Sequence, residues 1–202
     1  MKYLPISLTF LLFACASFPK KYTLERINGD TPTMVNPYFS NPSMDYIYKA
    51  KINFGEKSFG GIFVVKKLGP DHHRVVFTTE MGNKLLDFSF IKNEFRINFI
   101  LSEMNKKMLI NLLKKDFFVL THENVNILNH YRKMGDSTYF EAKIRNNTYF
   151  YLTRDERLHK ILETKGSKGK SDYIFIELEN DHAGEIKIRH KNIGLTIDLK
   201  AI

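Results

Sequence analysis

Apolar and polar residues alternate at period two over most of the chain beyond residue 45. Successive side chains of a β-strand point to opposite faces of a sheet, so this period predicts strands with one buried face and one wet face. We therefore predict a mainly β, α+β fold over 46–202, with an unclosed antiparallel sheet of about ten or eleven strands. The clearest alternating sets are Tyr46/Tyr48/Ala50/Ile52/Phe54, Ile174/Ile176/Leu178, Ile186/Ile188 and Leu195/Ile197/Leu199.

One stretch between these strands changes to a helical period. Its apolar residues fall on one face of a helix over residues 104–115, and Ser102 is a plausible N-cap. These apolar residues are Met104, Met108, Leu109, Leu112 and Leu113. Such a helix either covers the open face of a sheet or binds a membrane surface, and its position between strands favours the covering role.

Composition limits the class of protein. A chain of 202 residues with 43% hydrophobic and 26% charged residues has globular values, and its length supports one domain. The single cysteine excludes a disulfide within the chain and any multi-cysteine metal site. The formal charge of +9 indicates an anionic partner, either nucleic acid or a lipid headgroup surface.

The first residues are typical of a bacterial export signal. Lys2 precedes an apolar run that is shorter than the roughly 20 residues of a membrane-spanning helix. The run ends in Leu12-Phe13-Ala14-Cys15, which resembles a lipobox. We predict that residues 1–14 are a lipoprotein signal peptide and that Cys15 carries acyl chains such as palmitate. The alternative is an ordinary secretory signal followed by an incidental cysteine.

Residues 15–45 are predicted to be an acylated cysteine followed by a tether. Four of the six prolines lie there, at positions 19, 32, 37 and 42, and neither a helical nor a strand period is visible. Lys20, Lys21 and Arg26 would lie against anionic headgroups, or the segment is a solvated linker without a partner.

No enzyme motif is visible, so we expect no catalytic residue, no metal and no cofactor. The seven histidines lack convincing metal-ligand spacing. A hydrolase with an unfamiliar site would need a cleft that joins His130 or His159 to a carboxylate and a hydroxyl group. Phenylalanine and tyrosine fall mainly at strand-core spacing, and export removes most nucleic-acid partners, so we expect no nucleic acid.

The 17 phenylalanines are more than a thin core obviously requires. A curved sheet closed by a helix would leave an apolar cavity for acyl chains, or these side chains simply fill the core. The candidates for the cavity and its lid are Phe63, Phe77, Phe88, Phe90, Phe99, Met104, Met108 and Leu112.

Four segments carry a resemblance to the LolA/LolB type of bacterial lipoprotein carrier and receptor. They are residues 59–65, residues 75–90, the helix over 104–115, and the hairpin over 186–199. The resemblance implies an unclosed antiparallel β-barrel with a helical lid over a hydrophobic cavity. An acylated Cys15 favours the LolB-like, lipid-anchored receptor.

In that family an apolar residue protrudes from a short loop and helps to transfer lipoproteins to the membrane. Met81 and Gly82 match that loop, although Met81 could instead fold back onto the sheet. The resemblance implies a monomer in the outer membrane, facing the periplasm, that binds acyl chains and assists lipoprotein localisation. The alternative is an anchored interaction or scaffold module with a filled core.

Overall fold

One long antiparallel sheet dominates the computed structural model, which describes residues 17–30, 32–133, 137–179 and 182–202. Within these ranges 13 strands form the sheet, in the order β1-β9-β10-β11-β12-β13-β14-β15-β3-β4-β5-β6-β7, and β2 pairs with β8. The strands are β1 (Glu25–Arg26), β2 (Met34–Val35), β3 (Asp45–Phe54), β4 (Lys57–Gly69), β5 (His72–Thr78), β6 (Lys84–Ile91), β7 (Glu94–Ile100), β8 (Asn124–Val125), β9 (Ile127–Arg132), β10 (Ser137–Ile144), β11 (Asn147–Arg154), β12 (Arg157–Lys165), β13 (Lys168–Glu179), β14 (His182–His190) and β15 (Leu195–Ala201).

The sheet is not closed, because β1 and β7 are its two edges and do not pair with each other. Strands that neighbour each other along the chain mostly pair as hairpins, whereas β15 returns to pair with β3, with Leu199 opposite Ala50. The predicted mainly β, antiparallel and unclosed architecture is therefore confirmed. The predicted number of strands is too low, because two-residue strands such as β1, β2 and β8 are too short to show a period.

Helix α2 (Lys107–Thr121) lies in the hollow of this sheet, after a 3₁₀ turn at Ser102–Met104. Phe117 contacts Phe63 of β4, while Asp116 contacts Tyr173 of β13. Strands β14, β15 and β3 separate those two strands in the sheet order, so the sheet must curve around the helix. Residues 116–121 of α2 are all buried as a result.

The helix differs from its predicted bounds at both ends. The 3₁₀ turn contains Ser102, and Lys106 occupies the N-cap position of α2 without a side-chain cap. At the other end α2 continues through Phe117 to Thr121, beyond the predicted end at residue 115. The apolar run at residues 117–120 hides the helical period there, because that part of the helix is buried on all sides.

The prediction of an extended tether is wrong for the described part of residues 15–45. Helix α1 (Phe18–Lys21) packs on one face of the sheet, where the ring of Phe18 lies 4.6 Å from that of Phe150. Strand β1 then pairs with the edge strand β9. Residues 33–39, which we call the clasp, pack against the other face, and Met34, Tyr38 and Phe39 join the main core there.

Candidate functional site

The centre of the sheet's hollow is filled by aromatic side chains. The ring of Phe117 lies 5.0 Å from that of Phe63 and 6.4 Å from that of Phe88. Farther along the helix, the ring of Phe118 lies 6.2 Å from that of Phe90. These rings belong to one continuous buried core, so helix α2 packs into the hollow and does not roof an open space there.

The predicted cavity residues therefore divide into two groups. Six of them lie in or against the core: Phe63, Phe77, Phe88, Phe90 and Met104 are buried, and Leu112 is half-buried. Phe99 and Met108 lie on the surface instead, with 41% and 56% of their area exposed. The prediction that these two residues line an interior cavity is corrected, because β7 is an edge strand and Met108 lies in the exposed first turn of α2.

An open groove of about 680 Å³ lies away from the helix, between the clasp and strands β10 to β12. The clasp supplies one wall, with Thr33, Met34, Val35, Pro37 and Tyr38. The sheet supplies the other, with Thr138, Phe140, Thr153 and Leu158. The turn between β11 and β12 adds Asp155, Glu156 and Arg157.

Asn36 fixes the clasp to the end of helix α2. Its side-chain Nδ2 donates to the carbonyl oxygen of Leu120 at 2.9 Å, and its backbone N–H donates to the carbonyl of Glu123 at 2.8 Å. The last carbonyl groups of a helix have no partner within the helix, so this amide satisfies one of them in a buried place. The short pairing of β2 with β8 holds the same segment one residue farther back.

Tyr38 fixes the clasp to the sheet and forms part of the groove wall. Its hydroxyl donates to the carbonyl oxygen of Leu158 at 2.6 Å, and its ring lies 4.5 Å from that of Phe175. Burial raises the pKa of the Tyr38 hydroxyl far above its usual range, so the group stays protonated and keeps donating. With Asn36 bonded to the helix and Tyr38 bonded to the sheet, the groove is a preformed feature of the fold.

The groove has the chemistry of a site for an apolar chain. Six of its lining residues are apolar or aromatic: Met34, Val35, Pro37, Tyr38, Phe140 and Leu158. The other six are three threonines and three charged residues, and the charged residues all come from the turn between β11 and β12. The volume of the groove falls within the range of about 300–1,000 Å³ that is usual for small-molecule sites.

Met81 stands out from the protein at the tip of the loop between β5 and β6. Its side chain is 91% exposed, so it does not fold back onto the sheet. Gly82 adopts a φ of +86°, and its N–H donates to the carbonyl of Thr79 at 2.9 Å, which closes the loop tightly. Glu80 pairs with Lys49 at 2.9 Å, and both side chains are exposed.

A buried polar network lies at the other end of the sheet's hollow. Asp116 of α2 accepts a hydrogen bond from Tyr173 at 2.8 Å and lies 2.8 Å from Nε2 of His190. Ser171 lies 3.4 Å from Nδ1 of His190, but its hydroxyl donates to Glu163 at 2.6 Å. Burial raises the pKa of Tyr173, and the negative charge of Asp116 raises it further.

This network brings together a serine, a histidine and a carboxylate without the geometry of an activated nucleophile. The hydroxyl hydrogen of Ser171 points to Glu163, and the serine is fully buried. In the described ranges, no hydrogen bond joins His130 or His159 to both a carboxylate and a hydroxyl; His130 stacks on Phe140, with their rings 6.4 Å apart. Those ranges also hold no group of three metal-ligating side chains.

Cys15 and the predicted signal peptide lie outside the described residues. Among the residues that are described, no helix is long and apolar enough to cross a membrane. The acylation of Cys15 stays a prediction from the sequence.

Sequence reasoning missed the clasp, and with it the residues that form the groove. Asn36, Tyr38 and Phe39 lie among prolines in a segment where no period is visible. The one local signal is the run of apolar and aromatic residues from Met34 to Phe39, which is unusual for a solvated linker.

Comparisons with known proteins give no family assignment. No family model matches the chain, and no curated protein matches it. Among solved structures, a LolA superfamily protein from Nitrosomonas europaea is 10% identical, with a TM-score of 0.47, and the alignment covers 83% of this chain and 88% of that one. A DUF1329 family protein from Desulfovibrio piger ATCC 29098 is also 10% identical, with a TM-score of 0.44 and coverage of 80% and 85%. Since both likenesses are this loose, the function proposed below rests on the groove.

Proposed function

We propose that this protein is a lipid-anchored component of the bacterial envelope that binds the acyl chains of lipids or lipoproteins in the groove between the clasp and β10 to β12. The observation that carries the proposal is the groove itself, which is fixed by the bonds of Asn36 and Tyr38 and draws half of its lining residues from apolar and aromatic side chains. Each methylene group that leaves water for such a lining contributes roughly 0.8 kcal/mol, so a long acyl chain gains enough to bind.

The proposed role is to assist lipoprotein localisation to the outer membrane, on its periplasmic side. Cys15 would carry the acyl anchor, and Met81 with Gly82 would form the loop that contacts the membrane or the transferred lipoprotein. The 91% exposure of Met81 supports this role, because an unpaired apolar side chain at a tight loop is available to enter a lipid surface. The Lys49–Glu80 ion pair next to it offsets the negative charge of Glu80, which would otherwise oppose anionic headgroups.

The proposed activity involves binding without covalent chemistry. The serine, histidine and carboxylate network supports this view, because Ser171 is buried and donates to Glu163. We therefore propose no enzymatic reaction, no metal and no cofactor.

Binding of a fluorescent fatty acid to the delipidated protein tests the proposal. We expect saturable binding that palmitate displaces. Val35→Asp places a carboxylate in the groove at a side chain that is 56% exposed, and should weaken the binding strongly while the fold is kept. Leu128→Asp is the matched control, because Leu128 is 48% exposed and lies outside the groove. Equal affinity in the two variants would remove the groove from the account.

A second candidate function is an anchored interaction or scaffold module. The packing of Phe117 against Phe63 and Phe88 favours it, since the centre of the hollow holds side chains and no open space. The same experiment separates the candidates: a delipidated protein that shows no saturable fatty-acid binding supports the scaffold.

A further inference from the structure

A second recess, of about 490 Å³, opens at the end of the strands opposite the groove. Its walls are the β10–β11 turn, the β12–β13 turn and the β14–β15 loop, and helix α2 contributes Lys115. Strand β12 runs from the groove to this recess, and its nearest lining residues, Leu158 and Glu163, are five residue steps or about 17 Å apart. The buried side chains of Tyr173 and Ile161 lie on the strands between, so the two spaces are distinct.

The recess carries an excess of positive charge. Three lysines and one carboxylate line it. Lys115 Nζ is paired with Glu163 Oε2 at 2.6 Å, which uses that carboxylate. Lys165 and Lys170 make no ion pair with any described residue, although both belong to the wall of the recess. Two lysines of the wall therefore bring positive charge to the recess without a carboxylate partner among the described residues.

Neutral hydrogen-bond donors surround the two lysines. Asn146, Asn147 and Asn192 also line the recess, and asparagine side chains carry amide donors. His190 also belongs to its wall, and its ring is fixed from behind by Asp116, whose carboxylate lies 2.8 Å from Nε2. Amide and ammonium donors around an open volume can satisfy the several acceptor oxygens of a tetrahedral anion.

We propose that this recess binds a phosphate group, with Lys165 and Lys170 supplying the charge and the asparagine amides supplying neutral donors. The phosphate would belong either to the headgroup of an anionic phospholipid or to a small soluble phosphate ester. Both ligands present the same group to the recess, which is a monoanionic or dianionic phosphate with free oxygens. The site goes beyond the proposed acyl groove and does not depend on it.

Calorimetric titration of the purified protein with inorganic phosphate and with glycerol 3-phosphate tests this site. We expect saturable binding of at least one of them, weakened about tenfold or more in the Lys165→Gln/Lys170→Gln double variant, since the charge-assisted contacts to the phosphate are lost. Lys57→Gln/Lys143→Gln is the control of equal charge, because both residues are exposed and lie outside the recess. The control should bind like the unchanged protein.

Flotation with vesicles distinguishes the two sources of the phosphate. A phospholipid headgroup predicts that phosphatidylglycerol vesicles retain the protein better than phosphatidylcholine vesicles, and that the Lys165/Lys170 variant loses this preference while the control keeps it. If the phosphate belongs to a soluble ester, the protein should still bind phosphate in the calorimetric titration. The two double variants should then show the same preference between the vesicles. Absence of saturable phosphate binding, or equal weakening in both double variants, would overturn the site and leave fatty-acid binding at the groove unaffected.

Discussion

The ring of Phe117 lies 5.0 Å from the ring of Phe63, and this contact joins the middle of helix α2 to the concave face of strand β4. Both side chains are fully buried. The helix therefore acts as the core of the curved sheet, and the open apolar space lies at the sheet's other half, beside the clasp. The fold therefore places its groove at the flank of the sheet, where the clasp and not the helix forms one wall.

Replacement of Phe117 tests whether the helix fills the hollow. Phe117→Ala removes a fully buried ring that packs on Phe63 and Phe88, so we expect the free energy of unfolding to fall by about 3–5 kcal/mol. Urea denaturation measures this change. Phe99→Ala is the control, because Phe99 is 41% exposed and its loss should change the stability much less. Similar small losses in both variants would mean that the hollow under the helix is loosely packed.

The link between the clasp and the helix can be tested at Asn36. Asn36→Ala leaves the buried carbonyl of Leu120 without its donor, so we expect a loss of about 1–3 kcal/mol in the free energy of unfolding. Asn28→Ala, at an exposed residue, is the matched control. Hydrogen exchange at residues 33–39 should speed up in Asn36→Ala, and unchanged protection there would contradict the anchoring role.

Stability should fall in mild acid because of His73. Burial lowers the pKa of this histidine below its usual value, although the carbonyl of Phe39 and the carboxylate of Glu123 oppose that shift and Lys67 and His72 add to it. In the unfolded chain a histidine has a pKa of about 6.5, so the unfolded chain binds this proton more readily than the folded chain does. The stability that is present above that pH is therefore lost as the pH falls below it.

The variant His73→Gln keeps a side-chain donor for the Phe39 carbonyl and removes the titration. We expect its melting temperature to fall less between pH 7.5 and 5.5 than that of the unchanged protein. Part of the fall should persist, since burial also lowers the pKa of His122. An identical pH profile for His73→Gln and the unchanged protein would exclude His73 as its source.

The exposed loop residue Met81 provides a test of membrane transfer. Met81→Glu should impair delivery of a lipoprotein to acceptor membranes, while the melting temperature stays unchanged because the side chain is 91% exposed. Leu68→Glu is the matched control, at a side chain that is 51% exposed near the end of β4. If delivery by Met81→Glu equals that of the control, Met81 takes no part in the mechanism.

The period-two pattern predicted the long strands because each of them has one buried and one solvated face. Strand β3, for example, buries Tyr46, Tyr48, Ala50 and Ile52 and exposes the residues between them. Periodicity did not predict the end of helix α2, because residues 116–121 are all buried and show no amphipathic period. The contacts of Asp116 could not be predicted either, because its partners Tyr173 and His190 lie 57 and 74 residues away in the chain.

The groove could not be predicted from the pattern of single strands. It depends on a two-residue strand pairing, on the side-chain bond from Asn36 to Leu120, and on the bond from Tyr38 to Leu158 over a separation of 120 residues. Neither composition nor period reports such contacts. The number of phenylalanines likewise does not distinguish a filled core from a lined cavity. It also does not show which phenylalanines are buried: Phe63 is in the core, whereas Phe99 is exposed.

Photo-crosslinking with a diazirine-bearing palmitate, followed by mapping of the labelled peptides by mass spectrometry, tests the acyl-binding groove most directly. The account predicts saturable labelling in residues 33–38, 138–140 and 153–158, which competes with unlabelled palmitate and is lost in Val35→Asp. Labelling concentrated on helix α2 and strand β7, or no saturable labelling at all, would contradict it.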